Sequence, residues 1–211
     1  MLRDATHCIV ANHPAGHEAV VMAALERGVP VLCEKPLTLR KRDAGHFLVG
    51  LPQLFKHNKK TWPGLYVSYP WLWAHDVQVA LSILGKASFR ATFMGPTKHD
   101  YLPLYDWGVH ALSLAVAALG KEITIIRKSI PLSTGLAYVE LSSARGDMFC
   151  VFGESGSKRC GFKSEGSPMS AQCDGQELDR MLAAFLSGED HWQFDPAITL
   201  RVHELLEEIC G

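Results

Sequence analysis

Three things are missing from this sequence of 211 residues: a long apolar run, a block of like charge and a cysteine framework. No stretch approaches the ~18 apolar residues that span a bilayer as a helix. The opening, Met1-Leu2-Arg3-Asp4-Ala5-Thr6-His7, has no apolar segment of the kind a secretory leader carries, so a cytoplasmic location is expected. A formal net charge of −1 without a basic block leaves no electrostatic footprint for nucleic acid or an anionic membrane. Six cysteines (Cys8, Cys33, Cys150, Cys160, Cys173 and Cys210) are scattered with no C-x-x-C pair, which argues for reduced thiols rather than disulfides or structural zinc. Repeats and low-complexity linkers are also absent.

What is there is ordinary globular composition, with 47% hydrophobic and 20% charged residues. The length suits one large domain or two small ones with a true core. The first third alternates strand and helix. An apolar, β-branched run over 6–11 is followed by Asn12 as a capping candidate and Pro14 as a first helical residue. Good helix formers fill 15–27, and Gly28 stands where a helix stops. Further strands are expected over 29–33 and 65–69, with a helix over 39–51 between them. Strand–helix–strand–helix–strand with short connections predicts a parallel sheet with right-handed crossovers.

After Pro70 the pattern changes. A helix is expected over 73–84, a strand over 87–94 and a very apolar helix over 106–119. Short strands over 123–128, 137–141, 148–152, 159–163 and 169–173 predict a mostly antiparallel sheet. Two helices, 176–186 and 196–209, close the chain. The expected fold class is therefore α/β, a partial parallel sheet over 1–72 followed over 73–211 by an α/β domain with a mostly antiparallel sheet.

Two local patterns carry chemistry. Val31-Leu32-Cys33-Glu34-Lys35-Pro36 puts a lysine at the carboxyl end of a parallel strand, where open α/β sheets bind ligands. Partial desolvation there favours the neutral amine and makes Lys35 usable for proton transfer. The plainer alternative makes Lys35 a solvated loop lysine paired with Glu34. Asp106-Trp107-Gly108-Val109-His110 opens the apolar helix, with Asp106 and His110 four apart and so one turn from each other. A carboxylate that orients an imidazole is a common acid/base arrangement. The plainer alternative makes Asp106 a cap and His110 a satisfied core histidine.

Taken together, a helix carrying Ala15-Gly16-His17, a strand ending Glu34-Lys35-Pro36, a strand ending near Tyr69 and Asp106-x-Gly108-x-His110 resemble the Gfo/Idh/MocA oxidoreductase family. The Gly153-Glu154-Ser155-Gly156 turn and Thr199-Leu200-Arg201-Val202 also resemble its second domain. The resemblance implies a partial Rossmann-like region (strands four to six) before the second domain. It makes Lys35 the active-site lysine, followed by Pro36 in a cis peptide, and makes Asp106 and His110 the pair facing the substrate, with His110 the acid/base. It implies NAD(P) as cofactor and a sugar-like or other small hydroxyl, carbonyl or imine compound as substrate; no metal is expected. Asn12, His13, His17, Glu34 and Pro36 would then lie toward the cofactor, and Tyr69, Tyr105 and Trp107 toward the substrate. Trp71, Trp73 and Tyr101 are further aromatics that suit either a pocket or the core.

The sequence departs from that family in several places. It contains no Gly-x-Gly-x-x-Gly turn, the element that cradles the cofactor's diphosphate on a helix N-terminus. Asn12-His13 replaces a Thr-Pro, Ser113 stands for a frequent aspartate, and no arginine follows the third strand. His13 and His17 are spaced as metal ligands but have no third partner of matching spacing. The segment Cys8-Ile9-Val10 is expected to form an exposed sheet edge, covered by a second copy in a homo-oligomer. Three functions follow: an oxidoreductase, a cofactor-independent isomerase, lyase or cyclase using the same residues, or a non-catalytic binding subunit. The catalytic readings require Lys35 and His110 to converge on one water-poor cleft.

Overall fold

The computed structural model describes residues 4–38, 64–82, 87–96, 104–130, 135–164 and 170–210. The expected helix over 39–51 and Tyr101 lie outside them. Strand β1 (Cys8–Val10) leads through a 3-10 turn, Pro14–Gly16, into helix α1 (His17–Leu25). Proline opens the turn because its missing N–H is not needed there. Gly28, at φ 74°, supplies the left-handed residue that lets the chain turn back after the helix. Strands β2 (Val31–Cys33) and β3 (Leu65–Val67) complete a parallel sheet in the order β1-β2-β3. All three β2 side chains are buried, as expected of a central parallel strand.

The next segment differs from the sequence reading. Where one helix was expected over 73–84, a 3-10 turn (Pro70–Trp73) comes first and helix α2 covers His75–Ser82. Trp71 and Trp73 are held in the core, edge-on to Phe93 and tilted against Phe194. Burying two indoles outweighs continuing the helix.

A second sheet has the order β5-β6-β7-β4-β8-β9, formed by β4 (Ala87–Gly95), β5 (Thr124–Ser129), β6 (Leu136–Ser143), β7 (Gly146–Glu154), β8 (Arg159–Ser164) and β9 (Ser170–Ala171). Its pairings are antiparallel except that central β4 runs parallel to β7, with Phe89 opposite Met148 and Phe93 opposite Phe152. Helix α3 (Val109–Leu119) lies between this sheet and helix α5 (Pro196–Cys210), and helix α4 (Glu177–Ser187) packs on the turn at Pro70–Trp73. Apolar on nearly every side, α3 is buried on nearly every side. The buried side chains of both sheets join in one continuous cluster. No helix among the described residues is long and apolar enough to cross a membrane.

Candidate functional site

The site begins where β2 ends. Glu34 N–H donates to the Val10 carbonyl at 2.8 Å and so continues the ladder past the strand, and the Lys35–Pro36 peptide that follows is cis. Ser68, fully buried just beyond β3, donates its hydroxyl to the Glu34 carboxylate at 2.8 Å. His17 faces the same loops from the start of α1 with no exposed surface. Its Nδ1 lies 3.0 Å from the Pro36 carbonyl oxygen and its Nε2 2.8 Å from that of Asn12. His17 thus ties together the chain segments leaving β1 and β2. Both its ring nitrogens face carbonyl oxygens rather than open space.

Lys35 crosses to the second region. Its Nζ donates to the Asp106 carboxylate at 2.9 Å and to the Asp106 backbone oxygen at 2.6 Å, and both side chains are mostly buried. Asp106 is positioned by a π-helical turn, Leu104–Gly108, that feeds into α3. The sequence reading assumed α geometry, in which Asp106 and His110 stack one turn apart. The π turn changes that spacing, and the carboxylate turns to Lys35. A π turn at a helix entrance is often found beside functional residues.

His110 projects from the first turn of α3 and is 9% exposed. Its ring stacks on Phe93 at 5.6 Å between centroids, with Trp107 tilted beside it at 6.5 Å. Burial, then the nearby ammonium groups of Lys35 and Lys158, push its proton affinity well below the usual histidine range. The imidazole is therefore neutral near pH 7. Its Nδ1 has no hydrogen-bond partner among the described residues, and neither does the buried Nε1 of Trp107. Trp107 lies flat against Gly95, where any side chain would collide with the indole. Ser113, one turn further into α3, donates to the His110 backbone oxygen at 2.9 Å and so serves the helix.

The other expected site residues divide. Asn12 and His13 are exposed at the carboxyl end of β1, with His13 Nδ1 accepting the Ala15 N–H at 3.3 Å. Pro36 is buried and Glu34 half-buried. Tyr69 is 1% exposed within the core beside Thr199, and burial raises its hydroxyl above the usual phenol range. Tyr105 is half-buried and its hydroxyl reaches the Cys210 sulfur at 3.9 Å. Burial first, then Cys210, pushes that phenol up to about 12. Two residues escaped the sequence reading, Ser68 and Lys158. Nothing local marks either: one is a serine after a strand, the other a lysine after a glycine-rich turn.

Chemically, the site offers a cation fixed on a carboxylate beside a neutral imidazole, between an aromatic wall and the end of a parallel strand. Among the described residues, no three His, Cys, Asp or Glu side chains gather as metal ligands. The residues fit the reactive end of a nicotinamide cofactor, with unpartnered polar atoms on His110 and Trp107 next to a lysine. They do not supply a cradle for its diphosphate: α1 begins at Gly16 and His17, and the His17 ring is already committed to two carbonyls. A cavity of about 560 Å³ opens beside Gly64, Tyr66, Trp192 and Asp195, at the amino end of β3 and so at the opposite end of the parallel sheet from Lys35.

Comparison with known proteins gives three findings. Residues 1–51 match a family model described as an oxidoreductase family with an NAD-binding Rossmann fold. Inositol 2-dehydrogenase 4 of Saccharopolyspora erythraea is 27% identical over 144 residues, which is 64% of this chain and 41% of that protein. This chain therefore matches about two fifths of that relative's length. Among solved structures, the WlbA (WbpB) dehydrogenase from Thermus thermophilus, in complex with NAD and UDP-GlcNAcA, superposes with a TM-score of 0.74 at 15% identity, covering 98% of this chain and 74% of that one. KijD10, a 3-ketoreductase from Actinomadura kijaniata in complex with NADP, gives 0.73 at 18% identity, covering 99% and 77%. At these identities the likeness to solved structures is one of fold.

Proposed function

We propose that this chain is an oxidoreductase of the Gfo/Idh/MocA kind and that its site oxidises or reduces a hydroxyl, carbonyl or imine group of a sugar-like small molecule, a reading supported by the family match over residues 1–51 and the likeness to inositol 2-dehydrogenase 4. The observation that carries the proposal is the pair of unpartnered buried polar atoms, Nδ1 of His110 and Nε1 of Trp107, beside the Lys35–Asp106 ion pair. Buried polar atoms are seldom left without partners, and such a pair beside a lysine suits a polar ligand. A nicotinamide cofactor, when bound, supplies the hydride acceptor or donor.

The protein's own residues handle position and protons. Lys35 spends two of its three N–H donors on Asp106 and has a third for a substrate oxygen. Asp106 keeps that ammonium at one place and so fixes where the substrate oxygen sits. His110, neutral in its buried site, accepts a proton from a substrate hydroxyl, or returns one to a forming alkoxide. Phe93 and Trp107 hold the imidazole plane and exclude water. His17 holds the Lys35 loop against the Asn12 loop.

Calorimetric titration of the purified chain with NAD(H) and NADP(H) tests the reading. Micromolar binding is expected if this chain holds a nicotinamide cofactor by itself. No heat at millimolar cofactor would contradict this and leave acid/base chemistry without redox.

A further inference from the structure

Strand β9 pairs with β8 so that Ala171 faces Phe162 and Ser170 faces Lys163. Strand β9 ends at Ala171, and carrying its antiparallel register two residues further would set Cys173 opposite Cys160. Side chains two apart share a face. On that register both cysteines lie on the side of Phe162 and Ala171, which are 0% and 4% exposed. Directly opposed residues of an antiparallel pair have Cα atoms ~4.5 or ~5.5 Å apart, according to pair type. Both separations fall in the ~4.4–6.8 Å range that a disulfide spans without moving the backbone. Both cysteines are free and half-buried, and Cys160 adds a small part to the rise of the Cys173 thiol.

We propose that Cys160 and Cys173 are a dithiol that closes reversibly to an intramolecular disulfide when a small-molecule disulfide is present. With glutathione disulfide, one cysteine thiolate attacks a glutathione sulfur and expels a glutathione thiolate. The second cysteine sulfur then attacks the mixed disulfide and expels the other. Two protein thiols are oxidised, one glutathione disulfide is reduced to two glutathione thiols, and the two protons pass to them. The bond would fasten β8 to the segment entering α4. It would also act behind the candidate site, because Cys160 is the cross-strand neighbour of Phe93, on which His110 stacks.

Burial and then Glu177 push the Cys173 thiol up to about 12, and burial raises Cys160, while Lys158 pulls both the other way. The thiolate is the attacking form, so closure quickens as pH rises, by roughly tenfold per unit.

The test uses the whole chain and no knowledge of its substrate, so it is independent of the proposed activity. The folded protein is incubated with glutathione disulfide at mildly alkaline pH, remaining thiols are blocked, and non-reduced peptides are mapped by mass spectrometry, with a urea-unfolded sample alongside. The expected result is a linked Cys160–Cys173 peptide pair, loss of two of the six thiols and recovery with dithiothreitol. In a C160S chain, Cys173 should remain a thiol or carry glutathione alone. Both thiols left free, glutathione adducts without the link, links to other cysteines, or a link that forms equally well in urea would each overturn the proposal.

Discussion

At the scale of single residues, Lys35 is set by a partner 71 positions away in sequence. Substituting Asp106→Asn leaves a mostly buried ammonium without its counter-charge, at an expected cost of roughly 1–3 kcal/mol, readable as a lower urea midpoint. His110 has a different signature. Its folded proton affinity is depressed below the ordinary value of 6.5, so the unfolded chain binds a proton that the folded one refuses. That contribution to stability is present above about pH 6.5 and is lost as pH falls below it. His203, buried with its Nδ1 facing the Thr199 carbonyl, is depressed too and acts in the same direction. The melting temperature should therefore fall between about pH 8 and about pH 5, and His110→Gln should shrink that fall; an equal fall in both proteins would count against a buried neutral imidazole.

The residues were easier to name than to pair. Glu34-Lys35-Pro36 and Asp106-x-x-x-His110 stand out in the sequence because the first puts a lysine at the carboxyl end of a parallel strand, where open α/β sheets bind ligands, and the second sets a carboxylate four residues from an imidazole. Spacing suggested that Asp106 serves His110, but the carboxylate is bound to Lys35 and the imidazole Nδ1 has no partner among the described residues. Local spacing cannot foresee a contact made by folding one sheet against another. His17 was read toward the cofactor, and both of its ring nitrogens face backbone carbonyls.

At the scale of elements, alternation made β6 and β7 legible, since inward Val139, Leu141, Met148 and Cys150 interleave with more exposed residues. Alternation says nothing about partners, so the central place of β4 and its parallel pairing with β7 could not be read from it. The two-part segment 70–82 was likewise hidden, because Pro70 opens a 3-10 turn as readily as an α-helix. Strand β4 also links fold and site. Phe93, with no exposed surface, backs both Trp71 and His110. Phe93→Ala should cost roughly 3–5 kcal/mol by leaving a cavity between β4, the turn at Trp71 and the first turn of α3. Thermal unfolding of the variant at neutral pH measures this; a loss below about 1 kcal/mol would mean that Phe93 does not fill that contact.

At the scale of the whole molecule, β1 has one neighbouring strand among the described residues, β2, and Ile9 is 55% exposed on it. An exposed apolar edge invites pairing. We propose that another copy of the chain covers it. Ile9→Lys should then shift sedimentation toward the monomer without lowering the melting temperature, whereas an unchanged oligomer would place the contact elsewhere. The fold class and the two-sheet plan were legible because strand–helix alternation and then consecutive short strands differ in period and spacing. How the sheets meet was not, since it depends on Trp71, Phe93 and Phe194 packing across sequence separations that no local pattern records.

The claim that Lys35 and His110 serve one reaction is tested most directly by hydride transfer. The chain, alone or with any cofactor-binding partner it purifies with, is assayed for reduced nicotinamide absorbance across sugar nucleotides and polyols with NAD⁺ and NADP⁺. The account predicts turnover in the wild type and a loss of roughly 10²-fold or more in each of Lys35→Ala and His110→Ala, with folding intact by circular dichroism. Turnover that survives both substitutions undiminished would contradict it.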